Sequence, residues 1–326
     1  MGHGTQPREV AEGVWQVCLP LPMRPSIVNV WLVRGAADWT LIDTGLHTGE
    51  SLSTLRAALD AVGASPAALA RIVCTHHHLD HYGSSGPLRD LSGAVVLLHA
   101  LEAARAAAAQ SSTGEYGGFL TRHGVPPLPP ERQLPPPSRF YGNLYCPAVP
   151  DGFLDDGTEI PLGGGRVLEV LWTPGHTPGH CCLLLRPDQV LFVGDHLLPK
   201  ITPHVGLLPD GPENPLGDFL ASQERMLRVP ARLVCPAHGG VYEDHHRRAR
   251  QLIDHHRVRR LAMVDLLRRG PATAYEVALD AFAVAPDNRF QVLAATSETL
   301  AHLELLRREG RVLRHCHDGI VRWQAR

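Results

Sequence analysis

The sequence predicts an α/β protein: a large unit of alternating strands and helices followed by a smaller, mainly helical unit. Three observations carry this. Strand-like apolar runs alternate with helical repeats up to about residue 245. The run His76-His77-His78-Leu79-Asp80-His81 directly follows the apolar stretch Leu69 to Cys74, which places four metal-capable side chains at one strand end. Beyond Tyr242 the chain changes character: Leu252, Ile253, Val258, Leu261, Val264 and Leu267 recur among arginines, which predicts a long amphipathic helix with these residues on its apolar face.

The chain has 326 residues, more than one core usually organises, so two domains are expected, 1–245 and 246–326. Its net charge is −2, with 44% hydrophobic and 20% charged residues. That is an ordinary enzyme composition and makes no electrostatic case for nucleic acid or a membrane. Cys18, Cys74, Cys146, Cys181, Cys182, Cys235 and Cys316 are scattered without C-x-x-C spacing, as expected of reduced thiols in a cytoplasmic protein. No basic segment followed by an apolar one opens the chain, and no run approaches a membrane span.

In chain order, Val14–Cys18, Ile27–Arg34 and Trp39–Ile42 have strand composition. Leu52, Leu55, Leu59 and Val62 recur at helical spacing before Gly63, which predicts a helix over 48–62. A strand at 69–74, the histidine run, a short strand at 94–99 and an alanine-rich helix at 101–110 follow. From Ser111 to Pro150 periodicity ends, and seven prolines between Pro126 and Pro137 exclude a continuous helix or central strand. This stretch is expected to be an insertion or lid whose aromatics, Tyr116, Phe119, Phe140, Tyr141 and Tyr145, either line an acyl pocket or pack for stability. Strands at 167–172, 181–185 and 190–193, a helix at 216–229 and a strand at 232–235 complete the larger unit.

The histidine run resembles the HxHxDH signature of the metallo-β-lactamase fold superfamily. Further motifs of that family have counterparts in the same order: Leu41-Ile42-Asp43-Thr44-Gly45, then Gly175-His176-Thr177-Pro178-Gly179-His180, Gly194-Asp195-His196 and Pro236-Ala237-His238-Gly239. The resemblance covers roughly residues 10 to 245 and implies an αββα sandwich. It also implies two divalent metal ions: His76, His78 and His176 would hold one, Asp80, His81 and His238 the other, and Asp195 would bridge them. Imidazole and carboxylate ligands suit zinc, with iron or manganese as alternatives. Two such cations acidify a shared water and polarise a carbonyl, so Asp80 and Asp195 are the candidate catalytic carboxylates.

The family includes thioesterases, lactonases, β-lactamases and nucleases, and fold does not choose among them. Aspartate in the bridging position and the absence of a leader argue against one class of secreted β-lactamase. An acyl thioester or comparable ester is the expected substrate, with a metal-dependent endoribonuclease or phosphodiesterase, or a lactonase, as the alternative. Lys200, the only lysine of the chain, follows the bridging Asp195 and is expected to bind a substrate carboxylate or phosphate, with His204, Tyr141 and Tyr145 as further candidate contacts.

The tail, with helices expected at 247–269, 273–282 and 297–308 and strands at 312–315 and 320–323, resembles the winged helix attached to some hydrolases of this superfamily. Its helix at 297–308 mixes Glu298 and Glu304, and Glu309 just past its end, with Arg307 and Arg308, a poor phosphate surface. Packing beside the active site or a homodimer contact is the expected role. The pairs His245-His246 and His255-His256 diverge on a helix and are expected to be solvated or paired with nearby acids.

Overall fold

The computed structural model describes residues 6–111, 115–127 and 142–326. One sheet runs in the order β1 (Arg8–Ala11), β2 (Val14–Pro20), β3 (Ile27–Arg34), β4 (Trp39–Ile42), β5 (Leu69–Val73), β6 (Val95–Leu98) and β7 (Gly152–Phe153). The meander β1 to β4 is antiparallel, and β4 to β7 are parallel. The second sheet has β8 (Glu159–Gly163), β9 (Arg166–Trp172), β10 (Cys181–Arg186), β11 (Val190–Gly194) and β12 (Leu233–Pro236) in the order β12-β11-β10-β9-β8. Side-chain alternation on β10 shows how the layers form. Cys181, Leu183 and Leu185 face the other sheet and share a core with its Trp31, Ile42 and Val73 and with Phe192 of β11, while Cys182 and Leu184 face outward.

Helices cover both outer faces. On the first sheet these are α1 (Gly49–Ala61), the single turn α2 (Leu79–Tyr82), α3 (Ser85–Ser92) and α4 (Ala100–Ser111). The α1 prediction holds to its ends, because Thr48 caps it by accepting from the Ser51 N–H and Gly63 follows with φ +73°. Inside the insertion a short helix α5 (Glu115–Arg122) forms, against the low helix propensity of Gly117 and Gly118. Over the second sheet lies α6 (Pro215–Met226), with Leu216, Phe219 and Met226 buried. The result is the αββα sandwich.

The chain then forms α7 (His245–Leu267), α8 (Ala274–Phe282), α9 (Arg289–Arg308) and the hairpin β13 (Val312–His317) and β14 (Ile320–Ala325). The element order is the expected one, but α9 starts eight residues before the predicted 297, at a turn where Asn288 accepts from the Gln291 N–H. Helix α7 serves two cores: Ala249 and Leu252 pack outside the second sheet, and Met263, Val264 and Leu267 pack with Leu300, Leu303, Leu306 and Trp323.

Its apolar face is not the expected one. Val258 and Leu261 are exposed, whereas His245 and His256 are buried, because the buried stripe 245-249-252-256-263-267 follows the helical period through histidines. The expectation that both histidine pairs are solvated or paired with nearby acids therefore fails for one member of each. His245 Nε2 donates to the Val229 carbonyl at 3.0 Å and His256 Nδ1 lies 3.1 Å from His302 Nε2.

Phe119 and Leu120 of α5 pack against the C-terminal helices beside Val292. Phe140, Tyr141 and the side chain of Tyr116 lie outside the described residues.

Candidate metal centre

Every predicted ligand sits just beyond a strand: His76 to His81 after β5, His176 after β9, Asp195 after β11 and His238 after β12. Parallel β4, β5 and β11, β12 end on the same rim, which brings both sheets' loops together. His76, His78, His176 and Asp195 offer ligand atoms all within 4.8 Å of one another, and Asp80, His81 and His238 form a second such group. Asp195 faces both groups. Its Oδ2 is 3.5 Å from His176 Nε2, and its Oδ1 is 3.5 Å from His238 Nε2 and 3.7 Å from His81 Nε2. Asp80 Oδ2 lies 3.4 Å from His238 Nε2 and 3.7 Å from His81 Nε2.

The outward ring nitrogens fix which lone pairs face inward. His176 Nδ1 donates to the His204 carbonyl at 2.7 Å and His238 Nδ1 to the Ile27 carbonyl at 2.8 Å. Thr75 Oγ1 donates to Asp43 Oδ2 at 3.0 Å and so accepts from His76 Nδ1, also at 3.0 Å. The Nε2 atoms of His76 and His176 are then bare lone pairs, at 3.0 and 3.1 Å from His78 Nδ1. A single N–H there cannot serve both. Among the described residues, His81 Nε2 and Asp195 Oδ1 are buried with no hydrogen-bond partner. Converging lone pairs without donors are what a cation satisfies, so the residues present fit two divalent metals.

Electrostatics agree with this. Burial, reinforced by neighbouring imidazoles, holds His76 and His78 well below the usual histidine range, so both are neutral. Burial also lowers His81, but Asp80, Asp195 and Asp43 outweigh it and raise the ring to about 10. Burial raises Asp80, and His81 and His238 overcome this and hold it at about 2. The carboxylates around His81 thus draw positive charge: without metal a proton on the ring supplies it, and a cation would take that proton's place.

Several supporting residues were not singled out from the sequence. Asp43, in a left-handed conformation at φ +58°, accepts from Thr75 N at 2.8 Å and from His81 Nδ1 at 2.9 Å. His180 accepts the Asp195 N–H at Nε2, 3.2 Å away, and at Nδ1 lies 2.8 Å from Thr173 Oγ1. Gly194 has φ +45°, and a Cβ there would stand 2.6 Å from His180 Nε2, so the turn presenting Asp195 admits only glycine. Glu102, fully buried, accepts from the backbone N–H of His77 at 2.9 Å and of Gly179 at 2.6 Å and pairs with the His77 ring. It staples the two main ligand loops together. Asp43, His180 and Gly194 carried a sequence signal through their motifs, and Glu102 carried none.

Of the candidate substrate contacts, Lys200 is exposed. Tyr145 is buried and its hydroxyl donates to the His77 carbonyl at 2.9 Å. The His204 ring lies against Ser297 and Glu298 of α9. Tyr141 lies outside the described residues.

An αββα sandwich with two histidine and aspartate groups joined by a shared carboxylate defines a class, the metal-dependent hydrolases built on this fold. The chain belongs to the metallo-beta-lactamase superfamily, whose family model matches residues 23–238, and the model of the metallo-beta-lactamase-like C-terminal domain matches 261–326. It is 26% identical to "Probable metallo-hydrolase YqjP" of Bacillus subtilis (strain 168), over 95% of this chain and 97% of that protein. It is 30% identical to acyl-coenzyme A thioesterase MBLAC2 of Gallus gallus, over 66% of this chain and 73% of that one. Among solved structures, a metallo-beta-lactamase family protein from Thermus thermophilus superposes with a TM-score of 0.84 at 36% identity, covering 98% of this chain and 100% of the other. Among the described residues, no helix is long and apolar enough to cross a membrane.

Proposed function

We propose that the protein is a dinuclear metal-dependent hydrolase of acyl thioesters. The observation that carries the reading is Asp195, whose two oxygens face different histidine groups on the rim of the sandwich. His76, His78 and His176 would hold one cation, Asp80, His81 and His238 the other, and Asp195 both. When bound, two divalent cations would supply Lewis acidity for the carbonyl and for an attacking water. The chain's part is to keep seven ligands oriented, through Asp43, Thr75, His180 and the carbonyls of Ile27 and His204. Asp80 stays ionised across the neutral range and so serves as an anionic ligand.

The thioester preference is supported by the similarity to the chicken acyl-coenzyme A thioesterase. Nucleic acid is a poorer substrate class: Arg307 and Arg308 of α9 are paired with Glu304 and Glu213 and do not offer a free phosphate surface. A cytoplasmic protein acting on small acyl substrates is consistent with these features.

The test is initial rates of metal-quantified protein on acyl-coenzyme A and acyl-glutathione thioesters, a homoserine lactone, a cephalosporin and single-stranded RNA. Thioester hydrolysis that Asp195→Asn abolishes is the expected result. RNA cleavage with inert thioesters would replace this reading with a nuclease.

A further inference from the structure

The candidate centre is built on the sandwich, yet one of its outer hydrogen bonds leads to the C-terminal unit. His176 Nδ1 donates to the His204 carbonyl. Val205 anchors this segment in the core outside the second sheet, but the His204 ring itself is 44% exposed. Helix α9 supplies the polar contacts that fix it. Leu207 N donates to the Ser297 carbonyl at 2.9 Å, Ser297 Oγ lies 3.3 Å from His204 Nε2, and Glu298 Oε2 lies 3.4 Å from His204 Nδ1. The approach is tight: a Cβ on Gly206 would stand 2.7 Å from His204 Nε2 and 2.9 Å from Ser297 Oγ.

Glu298 is itself anchored. Its carbonyl accepts from His302 Nδ1 at 2.7 Å, which leaves His302 Nε2 to accept from His256 Nδ1 of α7. His256, Glu298 and His302 also lie close enough to suggest a cation, and His256 Nε2 has no partner among the described residues. Against that, the Arg259 guanidinium stands 3.9 Å from Glu298 Oε1, and donors and acceptors otherwise match along a single chain of hydrogen bonds.

We propose that α9 is a positioning element of the metal centre: Ser297 and Glu298 fix His204, and the His204 carbonyl fixes the orientation of His176. The proposal rests on His176 being a ligand. An imidazole ligand points where the hydrogen bond of its other nitrogen directs it, so loosening the carbonyl loosens the metal. The C-terminal unit would thus complete the active site without contacting substrate.

The experiment titrates the metal-free full-length protein with Co²⁺, following the visible spectrum and competition with a chelator, for wild type, Ser297→Ala, Glu298→Ala, Glu298→Gln and Gly206→Ala. Arg308→Ala, elsewhere on α9, is the control and is expected to match wild type. The expected result is an affinity about 10- to 100-fold weaker for one of two equivalents, with an altered spectrum for that equivalent, a partial effect in Glu298→Gln and little change in melting temperature. Unchanged affinity and spectrum in Ser297→Ala and Glu298→Ala overturn the proposal, as does a third equivalent in wild type that Glu298→Gln removes. If Glu298→Ala does not fold, Ser297→Ala and Glu298→Gln decide by the same readouts. Weakened metal in these variants beside a wild type inert to thioesters keeps this proposal and removes the thioester reading. His176→Ala binding two metals as tightly as wild type removes both the centre and this proposal.

Discussion

Asp195 and Glu102 are both carboxylates between loops, and they were not equally legible. Asp195 stands between Gly194 and His196 directly after a strand, a pattern whose chemistry follows from position. Asn in its place keeps the shape but offers only one good acceptor oxygen and no charge. We expect Asp195→Asn to bind fewer than two metals and to lose at least about a hundredfold in thioester hydrolysis. Retention of both metals and of activity would rule out the bridging role. Glu102 had no sequence signal, because its partners His77 and Gly179 are 25 and 77 residues away and meet only in the folded chain. Glu102→Ala would leave two backbone N–H groups and the His77 ring unpaired in the interior. The expected outcome is a loss of metal affinity of about 10- to 100-fold, measurable by chelator competition. Unchanged affinity would make the staple dispensable.

At the level of elements, strands and helices with a regular period were read close to their ends, as with β3, β4 and α1. What escaped was structure whose stability comes from its neighbours: α5 with its two glycines, the short β1 and β7, and the face of α7. The last has a thermodynamic consequence. Burial holds His256 at about 3 and His302 at about 4, so both are neutral in the fold, whereas in the unfolded chain they take up protons near 6.5. As pH falls below 6.5 the unfolded state binds more protons than the folded one, and stability drops until the folded values are reached. At pH 5 this should cost roughly 2 to 4 kcal/mol for the pair. Denaturation of metal-loaded protein between pH 6.5 and 4 should show a steep loss, shallower by about one proton in His302→Gln. An identical slope in the variant would place the acid sensitivity elsewhere.

For the whole molecule, the decisive fact is that the two ligand groups draw on both sheets. His76, His78, Asp80 and His81 leave β5 of the first sheet, whereas His176, Asp195 and His238 leave β9, β11 and β12 of the second. Cations held among them would clamp the layers at the rim and replace the proton that Asp80, Asp195 and Asp43 hold on His81, whose ring they raise to about 10. A ligand that binds only the folded state stabilises it by about 2.7 kcal/mol when its free concentration is a hundredfold above Kd. Metal removal by chelation is therefore expected to abolish hydrolysis, to lower the melting temperature by several degrees, and to raise amide exchange in the loops at 76–81, 173–180 and 194–196. The core around Met263, Leu303 and Trp323 is a separate cluster that holds none of the ligands, and its exchange should change less than that of the ligand loops. Re-addition of metal should restore both activity and protection. A melting temperature and exchange pattern indifferent to chelation would mean that the sandwich closes without metal and that the ligands contribute to chemistry alone.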